Sequence, residues 1–150
     1  MDERRDETWR FIHDLFASEI PEVASGVVEL RAVARRPGRR TKVAVASLDP
    51  QIDPVGACLG ERSRAVQSIV ARLGSERLDL FPWSDSPERL ISVALAPAKI
   101  VSMTLDDAKH RAEITVARDQ LPTAMGVDGI NVELASELTG WQLEFREHAA

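Results

Sequence analysis

Two short loops carry the residue types best suited to hold a polyanion. Gly126-Val127-Asp128-Gly129 has glycines at its first and fourth positions and lies between two apolar helical stretches. Glycine at both places lets a sugar–phosphate chain approach the protein backbone with no Cβ in the way. A helix opening from such a loop adds free N–H groups and the positive end of its dipole. Gly60-Glu61-Arg62-Ser63, followed by Arg64, lies 66 residues earlier in the same setting. The candidates for contact with a phosphate backbone are therefore Gly60, Glu61, Arg62, Ser63, Arg64, Gly126, Val127, Asp128 and Gly129, with Asn131 just inside the following helix.

Each loop is imperfect in its own way. Ser63 stands where a second glycine is wanted, which narrows the approach of phosphate and disfavours a positive φ. The other loop keeps both glycines but carries Asp128, with Glu133 one turn further on. A carboxylate about 5 Å from a phosphate costs under 1 kcal/mol in water and roughly 3 kcal/mol at an effective dielectric near 20.

Other chemistries find little support. No nucleophile, base and orienting acid fall in a motif, and there is no phosphate-cradling Walker-type loop. His13, His110 and His148 are scattered without ligand spacing, and one cysteine excludes an internal disulfide framework. Cys58, among small neighbours, reads as a core filler. Asp49 with Asp53, and Asp106 with Asp107, read as turn and cap residues. No apolar run reaches the roughly 20 residues of a membrane helix, and the charged N-terminus is not a signal peptide. The expectation is a cytoplasmic protein with no catalytic residue, metal, cofactor, small-molecule substrate or membrane contact.

The elements that must position the loops occur twice. Apolar spacing over Glu7–Glu19 predicts a helix, Val27–Val33 and Lys42–Leu48 a hairpin turning at Pro37-Gly38, and Asp53-Pro54 a capped short helix to Leu59. Val66, Ile69, Val70 and Leu73 mark a longer helix ending at Gly74, and Leu78–Phe81 a third strand. The second half repeats the order: a helix over Pro87–Leu95, strands over Ile100–Leu105 and Ala112–Val116, a short helix over Leu121–Met125, a helix through Ile130, Leu134 and Leu138, and a strand over Trp141–Phe145. A shift of 66 places Gly60 on Gly126, Leu59 on Met125 and Gly74 on Gly140, so the chain reads as a duplicated α+β unit. Residues 82–87 are too few for a flexible linker, so the copies are expected to pack as one body.

The family now has a name. Val27 to Val45, the run Asp53-Pro54-Val55-Gly56-Ala57-Cys58-Leu59-Gly60, Leu78 to Ser84 and Leu138-Thr139-Gly140-Trp141 resemble the KH pair of the NusA transcription factors. The resemblance covers roughly residues 10–146. It implies two prokaryotic-type (type II) KH domains in tandem, each α-β-β-α-α-β with a three-stranded sheet. Residues 1–83 would form the first, with a degenerate loop, and residues 84–150 the second, with its GxxG loop retained. It also implies single-stranded RNA binding, with the loop clamping about four nucleotides of backbone. RNA polymerase or other transcription proteins are implied as further partners, in elongation, pausing, termination or antitermination. Bacterial members carry other domains before the KH pair, so the chain reads as a fragment or a small stand-alone relative.

Charge leaves a second reading open. Residues 1–83 carry 13 acidic and 13 basic side chains, whereas residues 84–150 carry 11 and 6, so the net charge of −5 lies in the second half. RNA affinity rests largely on Lys and Arg. A protein-interaction module of KH fold, with weakened or lost RNA binding, is the alternative. Arg35, Arg36, Arg39, Arg40 and Lys42 at the hairpin turn are either a solvated turn or a contact with RNA or polymerase. Phe81, Trp83 and Trp141 are either core residues or base-stacking platforms.

Overall fold

The structure, a computed structural model, describes residues 3–148, with side chains from residue 7 onward. The chain divides into two compact units, Met1–Trp83 and Ser84–Ala150. Each has the α-β-β-α-α-β order of a type II KH domain and a three-stranded sheet of its own.

In the first unit, α1 (Glu3–Glu19) is amphipathic: Ile12, Leu15 and Phe16 are buried while Phe11 and Asp14 face out. Burial of each such large side chain contributes roughly 2 kcal/mol. Pro21 cannot continue the helix and instead opens a single turn, α2 (Pro21–Ala24), an element the apolar spacing does not announce. β1 (Val28–Arg36) and β2 (Arg40–Ser47) form the expected hairpin, each reaching the turn more closely than the apolar alternation marks. α3 (Pro54–Leu59) begins at the proline whose missing N–H costs nothing there, and the Asp53 carboxylate accepts from the Gly56 N–H at 3.2 Å. α4 (Arg64–Arg72) follows, then β3 (Arg77–Pro82). β3 lies parallel to β2, so α3 and α4 are its obligatory crossover. β2 is therefore central, and it is buried from Arg40 to Val45.

The second unit repeats this with α5 (Pro87–Ala94), β4 (Ile100–Asp106), β5 (Arg111–Val116), α6 (Leu121–Met125), α7 (Ile130–Thr139) and β6 (Gln142–Glu147). Even the irregularities recur. The first strand of each hairpin carries one unpaired residue, Arg31 between Leu30 and Ala32 and Val101 between Ile100 and Ser102. In the first unit the Trp9 indole N–H donates to the Leu30 carbonyl beside the bulge at 2.8 Å. The paired carboxylates take turn and cap roles: Asp49 accepts from the Gln51 N–H at 2.9 Å and Asp106 from the Lys109 N–H at 3.2 Å.

Three of the five basic residues of the hairpin fit neither expectation set for it. Arg35, Arg40 and Lys42 are held inside the unit by two carboxylates. The Glu76 side chain, 1% exposed, accepts from Arg35 Nη2 at 2.6 Å, Thr41 Oγ1 at 2.6 Å and the Gly38 N–H at 2.9 Å. Asp79 accepts from Arg40 Nε at 2.6 Å and Lys42 Nζ at 2.8 Å. Arg36 and Arg39 are engaged as well. Parallel pairing of β2 with β3 sets Lys42 opposite Asp79, a contact across the crossover that charge counting along the chain cannot see. Burial lowers Lys42 to about 8, with Asp79 offsetting part of the effect. For both carboxyls burial pulls upward, but the hydrogen bonds and charges of Arg35 on Glu76, and of Arg40 and Lys42 on Asp79, outweigh it and hold them below the usual range.

Two outcomes test this cluster. Carboxyls held below their unfolded values contribute stability that is complete above the unfolded pKa and is lost as pH falls through the folded one. Urea unfolding midpoints should therefore be flat between about pH 5 and pH 7 and drop steeply below about pH 4. Glu76→Gln leaves Arg35 without its counter-charge and should lose about 3 kcal/mol at pH 7, with a shallower acid limb than the unaltered chain.

Candidate nucleic-acid interface

Both loops have the same backbone. The first glycine is Gly60 (φ 74, ψ 176) or Gly126 (φ 78, ψ 169), a region essentially restricted to glycine. Close packing makes the same demand. A Cβ on Gly60 would lie 2.8 Å from the Ala65 Cβ, and one on Gly126 would lie 2.7 Å from both the Cβ and the backbone N of Asn131. The glycine lets the loop fold flat against the helix that it opens. The third and fourth positions are left-handed in each copy: Arg62 (φ 53) and Ser63 (φ 59), Asp128 (φ 56) and Gly129 (φ 73). A turn of 3-10 helix closes each loop, with Ser63 N–H donating to Gly60 O and Gly129 N–H to Gly126 O, both at 3.1 Å.

The fourth position has room for a side chain. A Cβ on Gly129 would meet nothing within 4 Å, and the serine at that place in the first copy adopts the same left-handed backbone. Its cost is conformational, about 1–2 kcal/mol for a non-glycine residue. Ser63 is the N-cap residue of α4, yet its side chain makes no capping hydrogen bond among the described residues.

Most of the expected contact residues gather at these loops. Glu61, Arg62 and Arg64 are exposed around the first, and Val127, 74% exposed, and Asp128 around the second. Asn131 is the exception. Its side chain is fully buried, and Nδ2 donates to Ala124 O at 3.0 Å and Leu95 O at 3.2 Å. It ties the end of α5 and α6 to the start of α7 and supports the loop from beneath, so the structure places this side chain in the interior and not on the loop surface. The matching residue of the first unit is Ala65.

Two features of the surroundings were not singled out from sequence. Leu59 and Met125, one residue before each loop, are 36% and 38% exposed; their coincidence under the 66-residue shift was the available sign. An open cleft of ≈ 380 Å³ lies against the first loop, with Glu19, Glu22, Glu61 and Arg64 around small residues including Ala57 and Ala65. Cys58, behind the loop, is fully buried, and burial pushes its thiol up to about 12. Phe81 and Trp141 are buried, with Trp141 stacked on His110 at 4.7 Å. Among the described residues no group of three or more His, Cys, Asp or Glu could hold a metal ion. No described helix is long and apolar enough to cross a membrane.

Comparison with known proteins decides the family. The profile of the NusA-like first KH domain matches residues 6–83, and that of the NusA-like second KH domain matches residues 87–150. The chain belongs to the NusA-like tandem KH family. The transcription termination/antitermination protein NusA of Thermus thermophilus is 44% identical over 92% of this chain and 36% of its own length. NusA of Bacillus subtilis is 39% identical over 88% of this chain and 36% of its own. The chain thus spans about a third of these NusA proteins. The crystal structure of APE1850 superposes with a TM-score of 0.62 at 21% identity, over 93% of this chain and 98% of its own; at that identity it speaks for the fold alone.

The two glycine positions of a NusA-like loop should respond differently to substitution. Gly126→Ala meets both a forbidden backbone region and the Asn131 backbone, and should cost about 3 kcal/mol in urea unfolding. Gly129→Ala meets only a left-handed backbone and should cost about 1 kcal/mol. Ser63→Gly relieves about 1–2 kcal/mol of strain and adds about 0.5–1 kcal/mol of chain entropy to the unfolded state, a net gain of about 0.5–1 kcal/mol.

Proposed function

We propose that this chain is a single-stranded RNA-binding module that works in transcription elongation, pausing, termination or antitermination. The sugar–phosphate backbone would run over the first loop at Gly60, Glu61, Arg62, Ser63 and Arg64, and over the second at Gly126, Val127, Asp128 and Gly129. The observation that supports this most is the pair of matching left-handed loops, each opening a helix of nine or ten residues. Their N–H groups and dipoles favour phosphate, and Arg62 and Arg64 add positive charge at the first. The NusA relatives are named for termination and antitermination. The reading involves no catalytic step, cofactor or small-molecule substrate, and places the protein in the cytoplasm.

A second reading is a protein-interaction module docking on RNA polymerase or another transcription protein. It is favoured at the second loop, where Val127 is exposed and no residue from Gly126 to Gly129 is basic.

Titration of a mixed-sequence single-stranded RNA at about 50 and 200 mM salt separates the two. If Arg62 and Arg64 each neutralise one phosphate, affinity should fall roughly sevenfold across that range. Arg62→Ala should then weaken binding and flatten the salt dependence. Gly129→Asp should also weaken binding if the second loop shares the strand. RNA binding that is absent at low salt, with polymerase captured instead, would support the second reading.

A further inference from the structure

β4 is an edge strand that lacks the features by which edges avoid pairing. It has β5 on one side, and its other side meets no backbone partner among the described residues. An open row of N–H and C=O groups is a template for a further strand, and proteins blunt it with charged residues or proline. The other edge strands are blunted in this way. β1 carries Glu29, Arg31, Arg35 and Arg36, β3 carries Arg77, Asp79 and Pro82, and β6 carries Glu144, Arg146 and Glu147. β4 runs Ile100-Val101-Ser102-Met103-Thr104-Leu105 before its first charge, with three β-branched residues and no glycine or proline. That is the composition of a segment that pairs with its own kind.

The strand is also open to solvent. Val101 at the bulge is 51% exposed, and Ser102 and Thr104 are exposed beyond it. The bulge bends only the start of the strand, and Ser102 to Asp106 pair with β5 in unbroken register. A regular stretch of backbone is therefore on offer.

Charge at the two ends selects the partner and its direction. Lys99 stands just before the strand, and Asp106 with Asp107 closes it, all three exposed. A second copy laid antiparallel sets the Lys99 end of each chain against the Asp106-Asp107 end of the other. A parallel copy would set like charge against like. Antiparallel pairing about a two-fold axis uses the same edge of both chains, so it closes on itself.

We propose that β4 is a self-association surface. A second copy of this chain adds its own β4 antiparallel along the open edge and joins the two sheets into one. The inference stands apart from the RNA-binding reading, since no loop residue takes part in it.

The test is sedimentation equilibrium of the full chain over a wide range of concentration, with thermal unfolding to verify that each variant is folded. The unaltered chain should pass from monomer to dimer, and amide hydrogen exchange over residues 100–106 should slow as dimer forms. Thr104→Lys puts a charge on the exposed face of the edge and should weaken the dimer roughly tenfold or more. Lys99→Glu alone and Asp107→Lys alone should each weaken it by opposing like charges at both ends. An equimolar mixture of those two variants should recover it, because each end then joins opposite charges. A chain that stays monomeric throughout would overturn the proposal and leave the edge to an extended segment of another protein. A dimer indifferent to Thr104→Lys, or charge variants that do not rescue each other, would overturn it by placing the interface elsewhere.

Discussion

The contact on which each unit depends is the one in which a glycine has no Cβ. A Cβ on Gly60 would clash with Ala65 and one on Gly126 with Asn131, so the glycine lets each loop lie close against the helix that it opens. The crossover that returns the chain to the sheet parallel to its central strand runs through that corner. With a Cβ there the loop would lift from the helix, and the left-handed positions after it would lose their place. The same packing that sets the fold also leaves helix N–H groups facing outward at the loop. Fold and candidate site are in this sense a single constraint, met twice.

The two units differ at the far end of the sheet, where the hairpin turn meets the last strand. The backbone contact is shared: Arg77 N–H donates to Arg39 O, and Gln142 N–H to His110 O. The residue just before each donor is Glu76 in one unit and Trp141 in the other. Glu76 gathers an arginine, a threonine and a backbone N–H around a buried carboxylate. Trp141 stacks on His110, whose own backbone is left-handed. One unit fixes the joint by charge and hydrogen bonding, the other by ring contact. The first joint ties stability to carboxylate ionisation. Arg35, Arg40 and Lys42 are neutralised within the unit, whereas the loop arginines Arg62 and Arg64 stay exposed at the first candidate surface.

The loops divide along similar lines. The first has charge and a hydroxyl but lacks its second glycine; the second has both glycines and offers Val127 and Asp128. An identical backbone therefore carries two different chemistries. The acidic excess of residues 84–150 opposes phosphate in general, so attraction within the proposed strand path is concentrated at Arg62 and Arg64.

The sequence by itself determined the order and type of nearly every element, the duplication, and which tetrapeptides form the loops. Apolar period, proline and aspartate caps and glycine spacing act between residues close in the chain, so they can be read from it. α2 escaped because a four-residue turn has no period to detect. The roles of Lys42 and Asn131 were decided by tertiary structure alone. Lys42 looks like a surface charge until the parallel register brings Asp79 across from it, 37 residues away. Asn131 looks like a ligand contact until the end of α5, 36 residues earlier, supplies the carbonyl its amide needs. In both, the polar group is satisfied by a partner distant along the chain, and only the completed fold says whether a polar side chain faces a ligand or the interior.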